Sequence, residues 1–307
     1  MRKPRALVPG DRIAIVAPAS PFDIDELKAG IRELQSLGYE PTYEDTVFAR
    51  EWYVAGDAST RANALRRAWD DPSIAAIVAA RGGYGSVQLL PLLSVSDFAN
   101  HTKAFVGYSD NTSLMSWLSL TCGIVTFHGP MIEGRFARGS AGYDVDTFQR
   151  CLAISQPPGR ITHSRLETVR PGEASGPLFG GTMTQLAASL GTPYAFDPPE
   201  GCVLFFDEVA ERPYRVDRLF TQLVLAGVVS RASALVFGEL PRCDEPGGTP
   251  RIRDVVVRMT ESFNGPILFG LPSGHASGAS LTLPFGVRAR VIGAAEPALI
   301  IEEAAVV

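Results

Sequence analysis

The sequence predicts an α/β fold: an N-terminal domain with a mostly parallel sheet, then a smaller α/β domain with a β-rich, barrel-like end. Short apolar runs alternate with segments of helical periodicity, the order of elements that builds a parallel sheet covered by helices. The chain has 307 residues, and one hydrophobic core rarely grows beyond about 250 to 300 residues. This alternation is absent from residues 156–176, which are rich in Pro, Gly, Ser and charged residues. We therefore expect domains at 1–155 and 177–307, joined by a linker at 156–176.

The first strand and helix are predicted from the segment that follows residue 11. Residues 12–17 form a nearly continuous apolar run that ends at Pro18, as a buried parallel strand does before a turn. The next segment carries apolar residues at helical spacing, which places them on one face of a helix. Gly38 then favours a left-handed end to this helix. The apolar residues of the helix are Leu27, Ile31, Leu34 and Leu37.

The same alternation predicts the remaining elements in order. Before the linker we expect helices at 59–69, 85–93 and 112–121, and strands at 74–80, 104–107 and 124–127. After the linker we expect helices at 183–190, 216–226 and 253–263, and strands at 202–206, 234–237, 267–269, 287–292 and 298–301. Strands dominate the last part of the chain, so the second domain is predicted to end in β-structure.

Charge and cysteine content exclude several classes of partner and cofactor. With 28 Lys and Arg against 33 Asp and Glu, the net charge is −5, so no broad positive field attracts nucleic acid. The four cysteines are far apart and lack the spacing of a zinc site or a disulfide framework. The chain has neither a signal-peptide core nor an apolar run near the roughly 18 residues of a membrane span. We expect a soluble, cytoplasmic protein with reduced thiols.

A serine between a strand and a helix is the first candidate for catalysis. The apolar run 104–107 leads into a turn that ends at Ser109, and a predicted helix follows. This arrangement raises a serine hydroxyl above the end of a sheet and directs the next backbone N–H to the same point. Asn111 stands where the complete motif has a second glycine. The alternative is therefore that Ser109 or Asp110 simply caps the helix.

A catalytic serine needs a base, and the chain has four histidines. His101 and His163 lie in polar segments, so we expect solvent around both. His128 follows a strand and could line the same end of the sheet, although a structural role is favoured. His275 lies in a loop of small residues after a strand, where glycines permit a turn that projects the imidazole towards the other domain. His275 is therefore the candidate base.

Two acids and a glycine-rich loop could complete the site. Asp207 and Glu208 follow the strand 202–206, and active sites of α/β folds usually lie at such strand ends. Successive side chains of a strand point to opposite faces, so only one of these acids can reach a histidine. The alternative is a pair of surface or helix-start acids. The loop 80–85 lacks the spacing of dinucleotide and phosphate motifs, and we interpret it as an oxyanion-hole or carboxylate-binding loop.

Taken together, these segments resemble the LD-carboxypeptidase family. The resemblance runs from the first strand to near the C-terminus. This family of serine peptidases includes the muramoyl-tetrapeptide carboxypeptidases of peptidoglycan recycling and the microcin C self-immunity proteins. It implies a Rossmann-like N-terminal domain that carries the nucleophile and a C-terminal domain that carries the acid and the base. The segments that carry the resemblance are 80–85, 107–110, 128–131, 180–183, 191–193, 207–218, 274–275 and 283–286.

The resemblance implies a catalytic triad and exposes one departure from the family. Ser109 matches the nucleophile and His275 the general base. Members of the family usually have Glu then Asp at the strand end, whereas this chain has Asp207 then Glu208. Alignment without a gap through the following residues favours Asp207 as the triad acid, and Glu208 stays the alternative.

The resemblance also implies the reaction. The oxyanion would be held by the backbone N–H groups of Gly83 and Asp110, and Arg81 is the candidate cation for the free C-terminus of the substrate. We expect a homodimer that releases the terminal D-alanine of muramoyl tetrapeptides through an acyl-enzyme. Neither a metal nor a cofactor is required.

Two other functions remain open. A protein similar to the microcin C self-immunity proteins would hydrolyse peptidyl or aminoacyl nucleotides. Those proteins tend to be longer, with an added loop that bears an aromatic residue, whereas residues 238–253 form a short stretch without one. This difference favours the cell-wall substrate. The third hypothesis is a catalytically inactive module that binds muropeptides, and the Asp at position 207 is its only support.

Overall fold

The chain folds around two β-sheets with helices packed against them. The computed structural model describes residues 1–307. Helices and strands alternate in both halves of the molecule, which confirms the predicted α/β fold class. The first half contains β1 (Arg12–Val16), α1 (Ile24–Ser36), β2 (Glu40–Thr42), α2 (Ala58–Asp70), β3 (Ile74–Ala79), β4 (Ala104–Gly107), α3 (Thr112–Leu120), β5 (Thr126–His128) and α4 (Val145–Leu152).

Five parallel strands make up most of the first sheet. Their order is β5-β4-β3-β1-β2. Every residue of β3 is buried, because a central parallel strand is covered by helices on both faces. The order of strands reverses between β1 and β3, and ligands of such sheets bind beyond the carboxyl ends of the strands near this point. The loops after β1, β3 and β4 therefore surround the candidate site.

Helix α1 shows how local sequence sets the limits of an element. The Asp23 carboxylate accepts two backbone N–H groups of the first turn, at 2.8 and 3.0 Å, which satisfies donors that have no partner within the helix. Leu27 and Leu34 are buried. Gly38 follows the helix with a φ of +89°, a conformation that glycine adopts without steric cost. The helix thus ends where the sequence predicts.

The second half of the chain supplies the eight strands of the second sheet. Its elements are β6 (Gly159–Ile161), β7 (Glu167–Arg170), β8 (Gly172–Thr182), α5 (Met183–Ser189), β9 (Cys202–Asp207), α6 (Pro213–Leu225), β10 (Ala232–Gly238), α7 (Ile252–Met259), β11 (Ile267–Leu271), β12 (Leu283–Phe285), β13 (Arg288–Gly293) and β14 (Ala298–Ile301). Four parallel strands, β8 to β11, form the centre of the sheet, and antiparallel strands extend it on both sides. Across the sheet the order is β6-β14-β13-β8-β9-β10-β11-β7.

One strand from the second half of the chain belongs to the first sheet. β12 pairs antiparallel with β5, with Leu283 opposite His128. The larger hydrophobic cluster, of 64 buried residues, includes Ile77 of the first sheet and Phe205 of the second. A cluster of 20 buried residues lies between the other face of the second sheet and its helices. The two sheets therefore share one continuous core.

The segment 156–176 differs from the prediction. It contains β6, β7 and the beginning of β8, where the sequence predicts an exposed linker. The residues of β7 are all partly exposed, so this edge strand lacks the apolar pattern of a buried one. The glycines of β8 allow close packing rather than flexibility, since a Cβ at Gly176 would lie 1.9 Å from the carbonyl oxygen of Gly201.

A second difference concerns the element after the glycine-rich loop. Residues 86–92 form a 3₁₀ helix that contains Pro91, whereas the apolar spacing predicts an α-helix. Proline removes a backbone donor and blocks a regular α-helix interior. The short strand β2 and helix α4 were not predicted, because neither has a long apolar pattern.

Candidate active site

Ser109 lies in a strained turn between β4 and α3. Its φ is +62°, which is unusual for a residue other than glycine and is often found at functional sites. The loop after β3 contacts the serine closely, since a Cβ at Gly82 would lie 2.8 Å from Ser109 Cβ and 3.0 Å from Ser109 Oγ. The serine side chain is partly exposed. The turn therefore presents the hydroxyl at the carboxyl edge of the first sheet.

The side chains next to Ser109 hold the surrounding loops and do not cap α3. Asn111 is the N-cap residue, and its side chain makes no capping bond; its amide donates instead to the carbonyl oxygen of Arg81 at 3.1 Å. The Asp110 carboxylate accepts the backbone N–H of Ser86 at 2.8 Å, and burial raises the pKa of this acid. The alternative that Ser109 or Asp110 caps the helix is therefore wrong.

Asp207 and His275 form a buried pair at the carboxyl edge of the second sheet. His275 Nδ1 lies 2.7 Å from Asp207 Oδ2, and the backbone N–H of His275 is 3.2 Å from the other carboxylate oxygen. Asp207 is fully buried, and the His275 side chain is 16% exposed. Burial alone lowers the pKa of His275, but the Asp207 carboxylate outweighs it and the pKa is raised. Because Asp207 accepts at Nδ1, the Nε2 atom of a neutral imidazole can act as an acceptor.

Glu208 points away from this pair. Its carboxylate accepts the backbone N–H and the hydroxyl of Thr184 at 2.9 and 2.7 Å, at the beginning of α5. Burial raises the pKa of Glu208. The two acids at the end of β9 thus face opposite sides, and the structure brings Asp207, not Glu208, to His275.

His128 lies behind the Asp207–His275 pair and is fully buried. Its Nδ1 is 3.0 Å from Ser273 Oγ, and that hydroxyl donates its proton to the carbonyl oxygen of Leu281 at 2.9 Å, so His128 Nδ1 is the donor to Ser273. His128 Nε2 lies 4.0 Å from Asp207 Oδ2. Burial lowers the pKa of His128 to about 4. The ring is therefore neutral at pH 7 and packs as part of the core.

The other two histidines lie outside the site. The carbonyl oxygen of His101 accepts the indole N–H of Trp69 at 3.0 Å. The His163 ring accepts the backbone N–H of Arg165 at 3.2 Å, in the loop between β6 and β7. Neither imidazole contacts Ser109 or Asp207.

Arg135 is a residue of this region that the sequence analysis missed. It is buried, with 7% exposure, and no carboxylate pairs with it. Its guanidinium donates to the carbonyl oxygens of Gly274 and Ala276 at 2.6 and 2.9 Å. It also lies over the ring of Tyr108, 5.7 Å from the ring centroid. Arg135 therefore fixes the loop of His275 to the residue before Ser109, and no local pattern in the sequence identifies it.

The predicted oxyanion loop and Arg81 differ in their environment. Gly83 has a φ of +98°, and Ser20 packs where its Cβ would be. The backbone N–H of Gly83 has no acceptor within the chain, so it is free to donate to a ligand. Arg81 is engaged with Glu133 at 3.2 Å and with the carbonyl oxygen of Pro21 at 3.0 Å. The Arg81 guanidinium is therefore already paired.

Two cavities lie in this region of the molecule. A cleft of about 350 Å³ borders Tyr84, Asp110 and Tyr194. Buried polar atoms without a partner lie along this cleft at Ser116 Oγ and Gln185 Oε1. A second cavity of about 330 Å³ borders His275. We name these the Tyr84 cleft and the His275 pocket.

Two family profiles match the chain. One describes the LD-carboxypeptidase N-terminal domain and covers residues 13–129. The other describes the LD-carboxypeptidase C-terminal domain and covers residues 175–291. The chain belongs to the LD-carboxypeptidase family. It is therefore a member of a family of peptidases that act as carboxypeptidases, as the resemblance in the sequence predicts.

Individual relatives of this LD-carboxypeptidase family member extend over nearly the whole chain. A probable murein peptide carboxypeptidase of Bacillus subtilis is 30% identical and covers 97% of this chain and 94% of its own length. The crystal structure of muramoyltetrapeptide carboxypeptidase from Oxalobacter formigenes is 30% identical, with a TM-score of 0.82 over 94% of this chain and 97% of that one.

The microcin C7 self-immunity protein is also similar. The Escherichia coli protein is 25% identical over 92% of this chain and 90% of its own length. A structure of the self-immunity protein with aspartyl sulfamoyl adenosine has a TM-score of 0.92 at 23% identity, with full coverage of both chains. At that identity the structural likeness shows the fold alone. Within the structure no helix is long and apolar enough to span a membrane, and no cluster of His, Cys, Asp or Glu side chains has the arrangement of a metal site.

Proposed function

We propose that this protein is a serine carboxypeptidase that hydrolyses the L,D-peptide bond of muramoyl tetrapeptides and releases the terminal D-alanine. The observation that carries the proposal is the pairing of His275 Nδ1 with Asp207 at 2.7 Å. This pair lies beside the strained Ser109, whose neighbour Tyr108 contacts the His275 ring edge-on at 5.1 Å between centroids. A serine, an imidazole and a buried carboxylate in this order are the components of a catalytic triad.

In the first step Ser109 Oγ attacks the carbonyl carbon of the scissile bond, and His275 Nε2 takes the serine proton. Asp207 stabilises the imidazolium that forms, and stays ionised. The negative oxygen of the tetrahedral intermediate is held by the backbone N–H groups of Gly83 and Asp110. Loss of one such donor typically lowers kcat by about 10²- to 10³-fold. Ser109 Oγ makes no hydrogen bond to His275 before substrate binds, and catalytic hydrogen bonds often form only in the complex.

In the second step the C–N bond breaks, and His275 gives its proton to the amine of the leaving D-alanine. An ester between Ser109 and the tripeptide remains. A water molecule then attacks this ester with His275 as the base, which releases the tripeptide and restores the serine. The reaction consumes one water and needs no further reactant.

Hydrolysis of a peptidyl or aminoacyl nucleotide is the second candidate, and the overall likeness to the microcin C7 self-immunity protein favours it. In that reaction the nucleotide leaves, so its base would lie on the side of His275. The His275 pocket contains no Phe, Tyr or Trp side chain that could stack on a base. The absence of a stacking ring in this pocket favours an amino acid as the leaving group.

The proposal is tested by mass spectrometry of the tetrapeptide L-Ala-γ-D-Glu-diaminopimelate-D-Ala after incubation with protein. Wild type should release one D-alanine, and Ser109→Ala should lose activity by at least about 10³-fold. Ser59→Ala, which changes an exposed serine in α2, is the matched control and should stay active.

Two outcomes would contradict the proposal. Release of D-alanine by Ser109→Ala at the wild-type rate would exclude the serine as nucleophile. No release by a folded wild type would exclude the tetrapeptide. A peptidyl adenylate analogue would then be assayed, and binding without turnover of both compounds would indicate an inactive binding module.

Two further expectations accompany the proposal. We expect a cytoplasmic enzyme, as the resemblance to the enzymes of peptidoglycan recycling implies. We also expect a homodimer, and light scattering should give twice the mass of one chain. A monomer at all concentrations would contradict the expected assembly without affecting the proposed reaction.

A further inference from the structure

The His275 pocket carries only positive charge. The ionisable residues that line it are Arg135, Arg242 and His275, and no Asp or Glu lines it. Asp207 lies behind the imidazole and is fully buried. A pocket of this composition favours a ligand that carries a negative charge, although the chain as a whole has a net charge of −5.

The two arginines contribute to this pocket in different ways. Arg135 donates every N–H of its guanidinium within the chain, to Tyr108 Oη through Nε at 3.4 Å and to backbone carbonyl oxygens through the terminal nitrogens. It therefore has no donor left for a ligand. It has no acidic partner either, so its charge remains uncompensated beside His275.

Arg242, in contrast, has no partner for its guanidinium within the chain. It is exposed, and its guanidinium makes neither a hydrogen bond nor an ion pair within the chain. The acids nearest in sequence are engaged elsewhere. Glu239 accepts the backbone N–H of Ser277 at 2.8 Å, Asp244 accepts that of Ile252 at 2.7 Å, and Glu245 pairs with Arg212. The Arg242 guanidinium is therefore free to bind a ligand with its full set of donors.

The backbone that carries Arg242 is held in a strained turn. Leu240 and Arg242 have φ angles of +49° and +60°, and Ala210 on the facing loop has +57°. The Ala210 N–H donates to the carbonyl oxygen of Pro241 at 3.0 Å, which joins the two loops. Non-glycine residues keep such angles only where their surroundings enforce them, and these positions cluster at ligand sites.

We infer that Arg242 in the His275 pocket binds the carboxylate of the leaving D-amino acid, an inference that rests on the proposed function. The leaving amine receives its proton from His275, so the leaving residue must border this imidazole. Its carboxylate is one carbon away from that amine. The planar guanidinium of arginine binds a carboxylate through two parallel hydrogen bonds. This arrangement assigns the requirement for a free C-terminus to Arg242, whereas Arg81 is paired with Glu133.

The test compares two substrates that differ only in charge at the C-terminus. One is the tetrapeptide with a free carboxylate, and the other is the same peptide with a C-terminal carboxamide. Wild type should prefer the carboxylate, and Arg242→Ala should lower kcat/KM for it by about 10- to 100-fold while the carboxamide is little affected. Arg242→Lys should retain part of the preference. Arg258→Ala removes an exposed arginine that makes no ion pair on α7, and should leave both rates unchanged.

A binding measurement separates this inference from the proposed function. An NMR titration of Ser109→Ala protein with D-alanine and with D-alaninamide requires no turnover. Binding of D-alanine that is lost in Ser109→Ala/Arg242→Ala would support the inference even if no peptide is hydrolysed. Equal binding of the two compounds, or an unchanged substrate preference in Arg242→Ala, would overturn it. Tighter binding of inorganic phosphate than of D-alanine would also overturn it, in favour of a phosphate ligand.

Discussion

The two acids at the end of β9 differ in role because a strand turns adjacent side chains to opposite faces. Asp207 contacts His275 at 2.7 Å, and Glu208 contacts the N-terminus of α5. We expect Asp207→Asn to lower kcat by about 10⁴-fold, the loss typical of a triad whose acid cannot orient the imidazole. Glu208→Gln should lower kcat less than about tenfold and instead destabilise the fold by about 1 to 3 kcal/mol.

The measurement for this pair is steady-state kinetics together with urea unfolding. The two variants are matched, since each replaces an acid with its amide at neighbouring positions. A larger loss of kcat in Glu208→Gln than in Asp207→Asn would assign the triad acid to Glu208 and contradict the geometry.

The pH dependence of the reaction follows from the environment of His275. The imidazole must be neutral to accept the serine proton, so kcat/KM should rise as the pH passes upward through the pKa of His275. Burial lowers this pKa, but Asp207 raises it above its usual value, so the midpoint should lie above about 6.5. In Asp207→Asn the carboxylate is lost and the residual activity should have a lower midpoint. A midpoint that is the same in both proteins would contradict this account.

At the level of elements, the contact between the loop after β3 and the turn after β4 sets the position of Ser109, the proposed nucleophile. A Cβ at Gly82 would lie 2.8 Å from Ser109 Cβ, closer than carbon atoms approach without displacement. We expect Gly82→Ala to move the serine turn and lower kcat by about 10²-fold, since small misplacements of reacting groups cost this much. Gly247→Ala is the control, because nothing lies within 4 Å of its added Cβ. Equal kcat values in the two variants would contradict the predicted role of this contact.

The elements that sequence could predict are those whose pattern is local. Apolar runs and helical spacing identify β1, β3, β4, β9 and most helices. β8 was not predicted, because the neighbouring strand β9 requires its glycines. A Cβ at Gly180 would lie 1.9 Å from the carbonyl oxygen of Phe205. Nothing within β8 itself shows this contact. β12 was not predicted, because it has only three residues, one of which is Pro284.

The same distinction holds for the candidate site. Ser109, Asp207 and His275 each follow a strand in a short recognisable segment, so the sequence could place them at one edge of the fold. The roles of Arg135 and Arg242 depend on which acids lie near them in space. Arg135 has its donors filled by four carbonyl oxygens and the Tyr108 hydroxyl, whereas Arg242 has all of its donors free. Nothing in the residues next to them in sequence reveals this difference. Arg81, which the sequence favoured, has an acidic partner, Glu133, that lies 52 positions later in the chain.

At the scale of the whole molecule, the shared core predicts a single unfolding transition. β12 comes from the second half of the chain and completes the first sheet, and the larger hydrophobic cluster contains residues of both sheets. The three tryptophans all lie in the first half of the sequence, so their fluorescence reports on that half alone. We expect the fluorescence and far-UV circular dichroism transitions in urea to coincide.

A pair of substitutions tests the role of β12 directly. Leu283→Ala removes a fully buried side chain and should lower the free energy of unfolding by about 2 to 5 kcal/mol. The tryptophan transition should therefore move to a lower urea concentration. Val257→Ala, which truncates a partly exposed side chain on α7, should change it little. Two separate transitions in wild type, or no effect of Leu283→Ala on fluorescence, would show that the halves unfold independently.

The bonds of Arg135 have one further consequence for the assembly of the site from two halves of the chain. Its guanidinium contacts Tyr108, the residue before Ser109, and Gly274, the residue before His275. The residues that precede the proposed nucleophile and the proposed base are thus both bound by the same planar guanidinium. The distance between these two groups is therefore constrained by one buried side chain as well as by the packing of the two sheets.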